Sequence, residues 1–250
     1  MKDIHSHILY GIDDGSTSLE ESLDLLSKLE HEGVTDIVVT PHYIIGSDYN
    51  SNNADKRKIL EEVKKKTNIK MYLGNEVFLD NNILEYIKKK EISTINNSQY
   101  LLVEFPLTQK LNNYKEILFN LRKIGCIPII AHPERYHYLK IEDFIELVES
   151  GCLLQGNITS LCGKYGRDAK KNLELLLRKH MIHVLGTDTH RHVLPIQDCV
   201  KELEKILDKK MIEDITVNNF DKIIVGDNIE PFEIIDTNSF FNKEKFKWEK

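Results

Sequence analysis

Residues 3–9 of the chain read Asp-Ile-His-Ser-His-Ile-Leu, and residues 36–40 read Asp-Ile-Val-Val-Thr. Both runs are short, and the second is mainly apolar, as in strands of a parallel sheet that is covered on both faces. The segment between them, residues 18–32, is amphipathic, because its leucines recur on one face: Leu19, Leu23, Leu26 and Leu29. A strand, a helix and a second strand in this order predict a parallel β-α-β unit.

The same alternation continues to about residue 208. Seven runs predict strands, at residues 3–9, 36–40, 70–76, 100–104, 127–131, 153–157 and 183–187. Seven segments predict helices, at residues 18–32, 53–66, 81–90, 112–124, 141–149, 166–179 and 195–208. Ser18 and Glu21 predict a capping box at the start of the first helix, and Gly33 predicts its end. Seven β-α repeats in series predict an α/β fold with a closed or nearly closed parallel barrel, and an open doubly wound sheet is the alternative.

No stretch rich in proline, glycine or serine divides the 250 residues. A chain of this length is often a single α/β barrel. From about residue 226 the strand–helix rhythm stops, and the sequence ends in a run rich in lysine and glutamate. We therefore expect one domain over residues 1–228 and a C-terminal tail over residues 229–250.

The composition limits the classes of partner. A formal net charge of -6 gives no general attraction to nucleic acid or to anionic membranes, so neither is expected as a partner. No apolar stretch reaches the roughly 18 to 20 residues that span a bilayer, and no signal peptide is apparent. The four cysteines form no C-x-x-C pair, which fits free thiols in a reducing compartment. We expect a cytoplasmic protein and leave its oligomeric state open.

Ionisable residues interrupt or follow six of the seven predicted strands, mostly at their carboxyl ends, where a parallel barrel builds its active site. His5 and His7 alternate by two along the first strand, so both side chains face the same side. Eight residues are candidate metal ligands: His5, His7, His42, Glu76, Glu104, His132, Asp188 and His190. The ninth candidate is one of Asp13 and Asp14, and residue spacing does not choose between them.

Each of these residues alone is more often a surface group or an ion-pair partner than a ligand. Together they change the expectation, because burying so many ionisable groups at one mouth is costly unless cations neutralise them. Imidazole and carboxylate are natural ligands of divalent metals, and one metal takes three or four of them. Nine candidates therefore predict two or three metals, at the spacing of about 3.5–4 Å that suits hydrolysis by a bridging hydroxide.

Arg135 lies three residues after His132, on the same predicted loop. A planar guanidinium at that place could bind two oxygens of a phosphate group, and the alternative is a salt bridge to a neighbour such as Glu134. Arg191 and Lys164 are weaker candidates. The motifs of other catalytic classes are absent from the sequence. It has no G-x-S-x-G of serine hydrolases, no C-x5-R of cysteine phosphatases, no Walker A and no dinucleotide fingerprint.

In these motifs the sequence resembles the PHP (polymerase and histidinol phosphatase) superfamily, and most closely its bacterial tyrosine-protein phosphatases of the CpsB/CapC type. The resemblance runs in order from residue 1 to about residue 228. The matching segments are residues 3–15, with Asp-Asp-Gly at 13–15, and residues 40–42, 74–76, 100–106, 131–136 and 186–190.

The resemblance implies a distorted (β/α)7 TIM-like barrel, the PHP fold, with a trinuclear site that often holds Mn²⁺, although Fe, Zn, Mg or Co could replace it. It implies three ligand sets: His5, His7, Glu76 and Asp188; then Glu76, Glu104 and His132; then Asp14, His42 and His190. Arg135 corresponds to a phosphate-binding arginine. Relatives usually carry a small or polar residue after the last histidine and an arginine later, whereas here Arg191 follows directly and is the substitute expected for a second phosphate contact.

The function implied is a metal-dependent protein-tyrosine phosphatase, in which a metal-bridging hydroxide attacks the phosphorus of phosphotyrosine. Its substrate would be the tail of a tyrosine autokinase that regulates capsular or exopolysaccharide synthesis. The first alternative is a phosphatase of histidinol phosphate or of another small phosphomonoester. The second is a catalytically inactive, metal-stabilised module that binds a kinase.

Overall fold

Short parallel strands form the centre of the molecule, which the computed structural model describes for residues 1–235. The strands are β1 (Lys2–Asp3), β2 (Asp36–Val39), β3 (His42–Tyr43), β4 (Lys70–Leu73), β5 (Glu76–Phe78), β6 (Tyr100–Glu104), β7 (Ile127–Ala131), β8 (Leu153–Asn157) and β9 (Val184–Gly186). They pair in the orders β1-β2-β4 and β3-β5-β6-β7-β8-β9. Each of these pairs is parallel, as predicted.

Strand pairing is interrupted at two places, after the second predicted strand and within the third, and these breaks distort the barrel. Thr40 and Pro41 separate β2 from β3, and Gly74 and Asn75 separate β4 from β5. Proline has no N–H to give to the ladder, so regular pairing stops at Pro41. The predicted continuous strand over residues 70–76 is therefore wrong at its carboxyl end.

Hydrogen bonds between the first and last strand segments close the sheet. The backbone N–H of Ile4 donates to Leu185 at 3.4 Å, and that of His7 donates to Thr189 at 2.8 Å. The N–H of Asp188 donates to the carbonyl of His5 at 2.9 Å. The predicted closed or nearly closed parallel barrel is thus confirmed over the open sheet. The prediction of a regular first strand over residues 3–9 is wrong, since β1 ends at Asp3 and only a single bridge at Ser6 continues it.

Helices follow the strands along the chain. Within residues 1–235 they are α1 (Leu19–His31), α2 (Asn53–Lys64), α3 (Ile83–Lys88), α4 (Tyr114–Lys123), α5 (Ile141–Glu149), α6 (Gly166–Arg178), α7 (Ile196–Glu204), α8 (Lys209–Glu213) and α9 (Asn219–Val225). The seven predicted helices correspond to α1–α7, while α8, α9 and the π-helical turn between them were not predicted. None of the helices in this part of the chain is both long enough and apolar enough to cross a membrane.

The predicted capping box of α1 is only half right. The hydroxyl of Ser18 accepts a hydrogen bond from the N–H of Glu21 at 3.2 Å, as an N-cap does. The Glu21 carboxylate does not return to Ser18, however, and accepts from the N–H and the hydroxyl of Thr17, each at 2.7 Å.

Helix α9 packs against the barrel interior. Apolar strand residues, together with Ile4 just after β1, form a buried cluster with Phe220 and Ile223 of this helix: Ile4, Val38, Leu102, Ile129, Leu153 and Val184. The cluster lies below the carboxyl ends of the strands, so polar side chains at that end rest on an apolar floor.

The segment after α9 stays on the barrel as far as the structure describes it. The carbonyl of Gly226 accepts from Gln99 Nε2 at 2.8 Å, and the ring of Phe232 stacks on His183 with centroids 5.8 Å apart. The N–H of Ile235 donates to the carbonyl of Lys179 at 3.2 Å. The first part of the predicted tail therefore contacts the barrel, and residues 236–250 lie outside the described residues.

Truncation of Phe220 tests the role of α9. Phe220 is fully buried, so Phe220→Ala should lower the free energy of unfolding by about 3–5 kcal/mol, measured by urea denaturation. Phe119→Ala is the matched control, because Phe119 is 63% exposed and its loss should change stability by no more than about 0.5 kcal/mol. Equal effects of the two substitutions would contradict the assignment of α9 to the core.

Candidate active site

The nine candidate ligands lie together at the carboxyl ends of the strands. His42 is in β3, Glu76 begins β5, Glu104 ends β6 and His132 follows β7. Five of the nine side chains are almost fully buried: His5, His7, Glu76, His132 and Asp188. The remaining four are the more accessible Asp14, His42, Glu104 and His190.

Glu76 is the centre of this group, because four imidazoles approach its carboxylate. Its Oε2 atom lies 3.2 Å from His5 Nε2, 3.3 Å from His7 Nε2 and 3.0 Å from His42 Nδ1. Its Oε1 atom lies 2.9 Å from His132 Nε2. One carboxylate thus contacts side chains from three other parts of the chain, around residues 5–7, 42 and 132.

A second corner of the site is nearer to solvent. Asp14 Oδ1 lies 3.5 Å from His42 Nε2 and 3.4 Å from His190 Nε2. The rings of His7 and His190 stack, with centroids 3.9 Å apart. Asp14, His42, His190 and His7 therefore surround one small volume next to Glu76.

Asp13 has different contacts from Asp14. Its Oδ2 atom lies 2.7 Å from His7 Nδ1 and accepts from the N–H of His42 at 2.9 Å, and its Oδ1 accepts from the N–H of Gly15 at 3.0 Å. Burial opposes ionisation of Asp13, but His7 and the two N–H groups lower its pKa to about 2. Asp13 thus orients His7, while Asp14 faces the imidazoles of His42 and His190.

The two glutamates show how strongly the site needs positive charge. Burial, followed by the neighbouring carboxylate of Glu76, raises the pKa of Glu104 to about 8. Burial would also raise the pKa of Glu76, but His5 and His42 hold it well below its ordinary value. Two carboxylates so close together are stable as anions only beside cations.

The donor atoms fit divalent metal ions. Within residues 1–235, three buried atoms of the site have no hydrogen-bond partner: His42 Nδ1, Glu76 Oε2 and His132 Nδ1. Buried polar atoms are rarely left in this way unless they serve a ligand. Three sets have donor atoms within 4.8 Å of one another: His7, Asp14, His42 and His190; His5, His7 and Glu76; and His42, Glu76 and Glu104.

The backbone is strained at two of these residues. His132 has a φ of 31° and Asp188 a φ of 51°, in the left-handed region that residues other than glycine seldom adopt. Each such residue costs of order 1–3 kcal/mol, which the surrounding hydrogen bonds must offset. One of these hydrogen bonds comes from Lys164, whose Nζ donates to the carbonyl of Asp188 at 2.7 Å.

Strand β8 supplies two amides that the sequence reading missed. Gln155 Oε1 lies 2.9 Å from His5 Nδ1 and accepts from the N–H of His132 at 3.2 Å. Asn157 Nδ2 donates to Asp188 Oδ2 at 2.9 Å. Gln155 and Asn157 are neither charged nor histidines, so the strand carried no ligand signal, although the two residues alternate by two, as His5 and His7 do.

Arg135 sits at the mouth of the site. Its Nη1 atom donates to Asp188 Oδ2 at 3.4 Å. The alternative pairing with Glu134 is not observed, since Glu134 Oε1 turns inward to accept from the N–H of Asn157 at 3.1 Å and from Ser160 Oγ at 2.7 Å. Arg191 is exposed, and its Nε donates to the carbonyl of Asp14 at 3.3 Å.

Comparison with known proteins gives consistent matches. A family model described as capsular polysaccharide synthesis, CpsB/CapC, matches residues 1–225. CapC from Staphylococcus aureus is 38% identical over 198 residues, which cover 76% of this chain and 77% of CapC. The tyrosine-protein phosphatase CpsB from Streptococcus pneumoniae is 32% identical over 241 residues, which cover 90% of this chain and 98% of CpsB.

A solved structure gives the same result for the fold. It comes from crystal structures of YwqE from Bacillus subtilis and CpsB from Streptococcus pneumoniae, described as metal-dependent tyrosine phosphatases. Its TM-score is 0.86 at 25% identity, with 94% of this chain and all of that chain covered.

Substitution of the two aspartates separates their roles. If Asp14 is a ligand, Asp14→Asn should lower the number of bound metals per chain, because it would remove a candidate ligand from the accessible corner. Asp13→Asn should keep that number at saturating metal but weaken metal affinity by about 10–100-fold, as expected for loss of a group that orients a ligand. Metal analysis and metal titration of both proteins measure these effects, and the reverse pattern would assign Asp13 as the ligand.

Proposed function

This chain belongs to the CpsB/CapC family of capsular polysaccharide synthesis, and we propose that it is a metal-dependent protein-tyrosine phosphatase. The observation that carries the proposal is the buried Glu76 carboxylate among four imidazoles, with Arg135 beside the same cluster. The relatives named as tyrosine-protein phosphatases support the choice of reaction.

We assign the metal ligands to the nine clustered side chains. His5, His7, Glu76 and Asp188 would hold one ion; Glu76, Glu104 and His132 a second; and Asp14, His42 and His190 a third. Manganese is the ion we propose, because nitrogen and oxygen donors are mixed and no cysteine is among them. When bound, such ions lower the pKa of a water molecule and neutralise phosphate oxygens.

Arg135 would bind the phosphate group of the substrate. Its side chain is 23% exposed, so a phosphate at the mouth can reach it, and it lies against the buried Asp188. A guanidinium in this position can stabilise charge on the equatorial oxygens during transfer. The exposed Arg191 lies next to Asp14 and would make a weaker second contact.

The protein substrate we propose is the phosphorylated tail of a tyrosine autokinase that regulates capsule or exopolysaccharide synthesis, with the enzyme in the cytoplasm. The family's link to capsular polysaccharide synthesis supports this choice. An extended tail could bring its phosphotyrosine to the mouth of the site, where Arg135 is partly exposed.

Removal of the metal tests whether the proposed reaction depends on it. Exhaustive chelation should abolish hydrolysis of a phosphotyrosyl peptide, and Mn²⁺ should restore it, because the reaction depends on metal-activated water. The measurement is phosphate release before and after reconstitution. Activity that survives complete metal removal would refute the metal assignment.

The same assay separates the alternatives. Faster hydrolysis of histidinol phosphate than of the peptide would indicate a small-molecule phosphatase. Metal-loaded protein that binds a kinase tail and hydrolyses no phosphomonoester would indicate an inactive binding module.

Arginine substitutions test the substrate end of the site. Arg135→Ala should lower kcat/KM for the phosphotyrosyl peptide by about 10²–10³-fold, because it removes a preorganised charge, while metal content stays unchanged. Arg191→Ala is the matched control and should have a much smaller effect, since its guanidinium is exposed. Loss of metal in Arg135→Ala would instead assign Arg135 to the structure of the metal site.

A further inference from the structure

Tyr165 makes contacts at the active site that neither the sequence motifs nor the metal cluster explain. It lies in the loop between β8 and α6, immediately before the first residue of the helix. Gly163 and Gly166, on either side of Lys164 and Tyr165, have φ values of 85° and 88°. Because glycine adopts such angles without strain, the loop can turn back toward the carboxyl ends of the strands.

The ring of Tyr165 packs on the guanidinium of Arg135, whose Cζ lies 4.4 Å from the ring centroid. This is the geometry of a cation–π contact. An aromatic ring attracts a guanidinium without occupying its N–H groups, whereas a carboxylate partner would use them. Within residues 1–235, the Arg135 side chain makes one hydrogen bond, at 3.4 Å to Asp188. Most of its five N–H donors are therefore available to a phosphate.

The hydroxyl of Tyr165 reaches the same carboxylate. It donates to Asp188 Oδ2 at 2.5 Å, and Asn157 Nδ2 donates to that atom as well, at 2.9 Å. The other oxygen, Oδ1, lies 3.5 Å from His5 Nε2 and from His7 Nε2. Asp188 is thus fixed on one side by Tyr165 and Asn157, and faces the histidines with the other.

We propose that Tyr165 is a positioning residue for phosphate binding: its ring holds the plane of Arg135, and its hydroxyl fixes the Asp188 carboxylate beside that arginine. The proposal rests on the role of Arg135 in the proposed function. The ring supplies the larger part of the effect on phosphate, because Arg135 is the group that touches it.

Binding of inorganic phosphate to the Mn²⁺-loaded protein, measured by calorimetry, tests the proposal without requiring turnover. Tyr165→Leu should weaken phosphate binding by about 3- to 30-fold, the range of a cation–π contact. Tyr165→Phe keeps the ring and should retain most of the wild-type affinity. Tyr72→Leu is the control, because Tyr72 is a half-buried tyrosine that contacts Phe220 rather than the active site.

A double-mutant cycle shows whether Tyr165 acts through Arg135. In an Arg135→Ala background, Tyr165→Leu should cause no further loss of phosphate affinity. An equal further loss, or wild-type affinity in Tyr165→Leu alone, would overturn the proposal. Equal losses in Tyr165→Leu and Tyr165→Phe would also overturn it, since they would assign the effect to the hydroxyl. Tyr165→Met replaces Tyr165→Leu if the latter loads less metal than wild type.

The outcomes keep the two proposals apart. If phosphate binding depends on Tyr165 through Arg135 but the wild-type protein does not hydrolyse a phosphotyrosyl peptide, the proposed function fails and the role of Tyr165 stands. If the peptide is hydrolysed and phosphate binding is indifferent to Tyr165, the function stands and this inference fails.

Discussion

The arrangement of the active site depends on the contact between the buried carboxylate of Glu76 and four imidazoles. His5 and His7 follow β1, His42 lies in β3 and His132 follows β7, and each of the four lies within 3.3 Å of this carboxylate. Such a cluster is stable only if opposite charges are balanced and the barrel holds every member in place. The closure of the first strand segment on the last and the breaks at Pro41 and Asn75 are what bring these side chains to one mouth.

Asp188 joins the histidines around Glu76 to Arg135, the residue proposed to bind phosphate. One of its oxygens faces histidines, and the other accepts from Asn157, Tyr165 and Arg135. Its backbone is held at a positive φ, which the surrounding hydrogen bonds stabilise. The segment after β9 thus places the carboxylate, and a glycine-flanked loop places the aromatic ring that supports the arginine.

Much of the fold could be predicted because its signals are local. The apolar runs and the leucine stripe of α1 depend on neighbours two to four residues away, and they located α1–α7 and most strands. The errors lie where pairing with residues far away in the chain decides the secondary structure. Residues 4–9 were predicted to continue the first strand but pair at only one bridge. Helix α9 was missed although Phe220, Ile223 and Ile224 recur at helical spacing, because a segment of seven residues is short for such a pattern.

The sequence alone determined the parallel β/α order, the family resemblance and the set of ionisable residues at the strand ends, since each is written in residue type and spacing. Only the tertiary structure decided that Asp13 orients His7 while Asp14 faces His42 and His190, and that Arg135 packs on Tyr165 rather than pairing with Glu134. It also brought Gln155 and Asn157 into the site. The physical reason is that these choices depend on distances of a few ångströms between atoms far apart in the chain, which residue spacing does not encode.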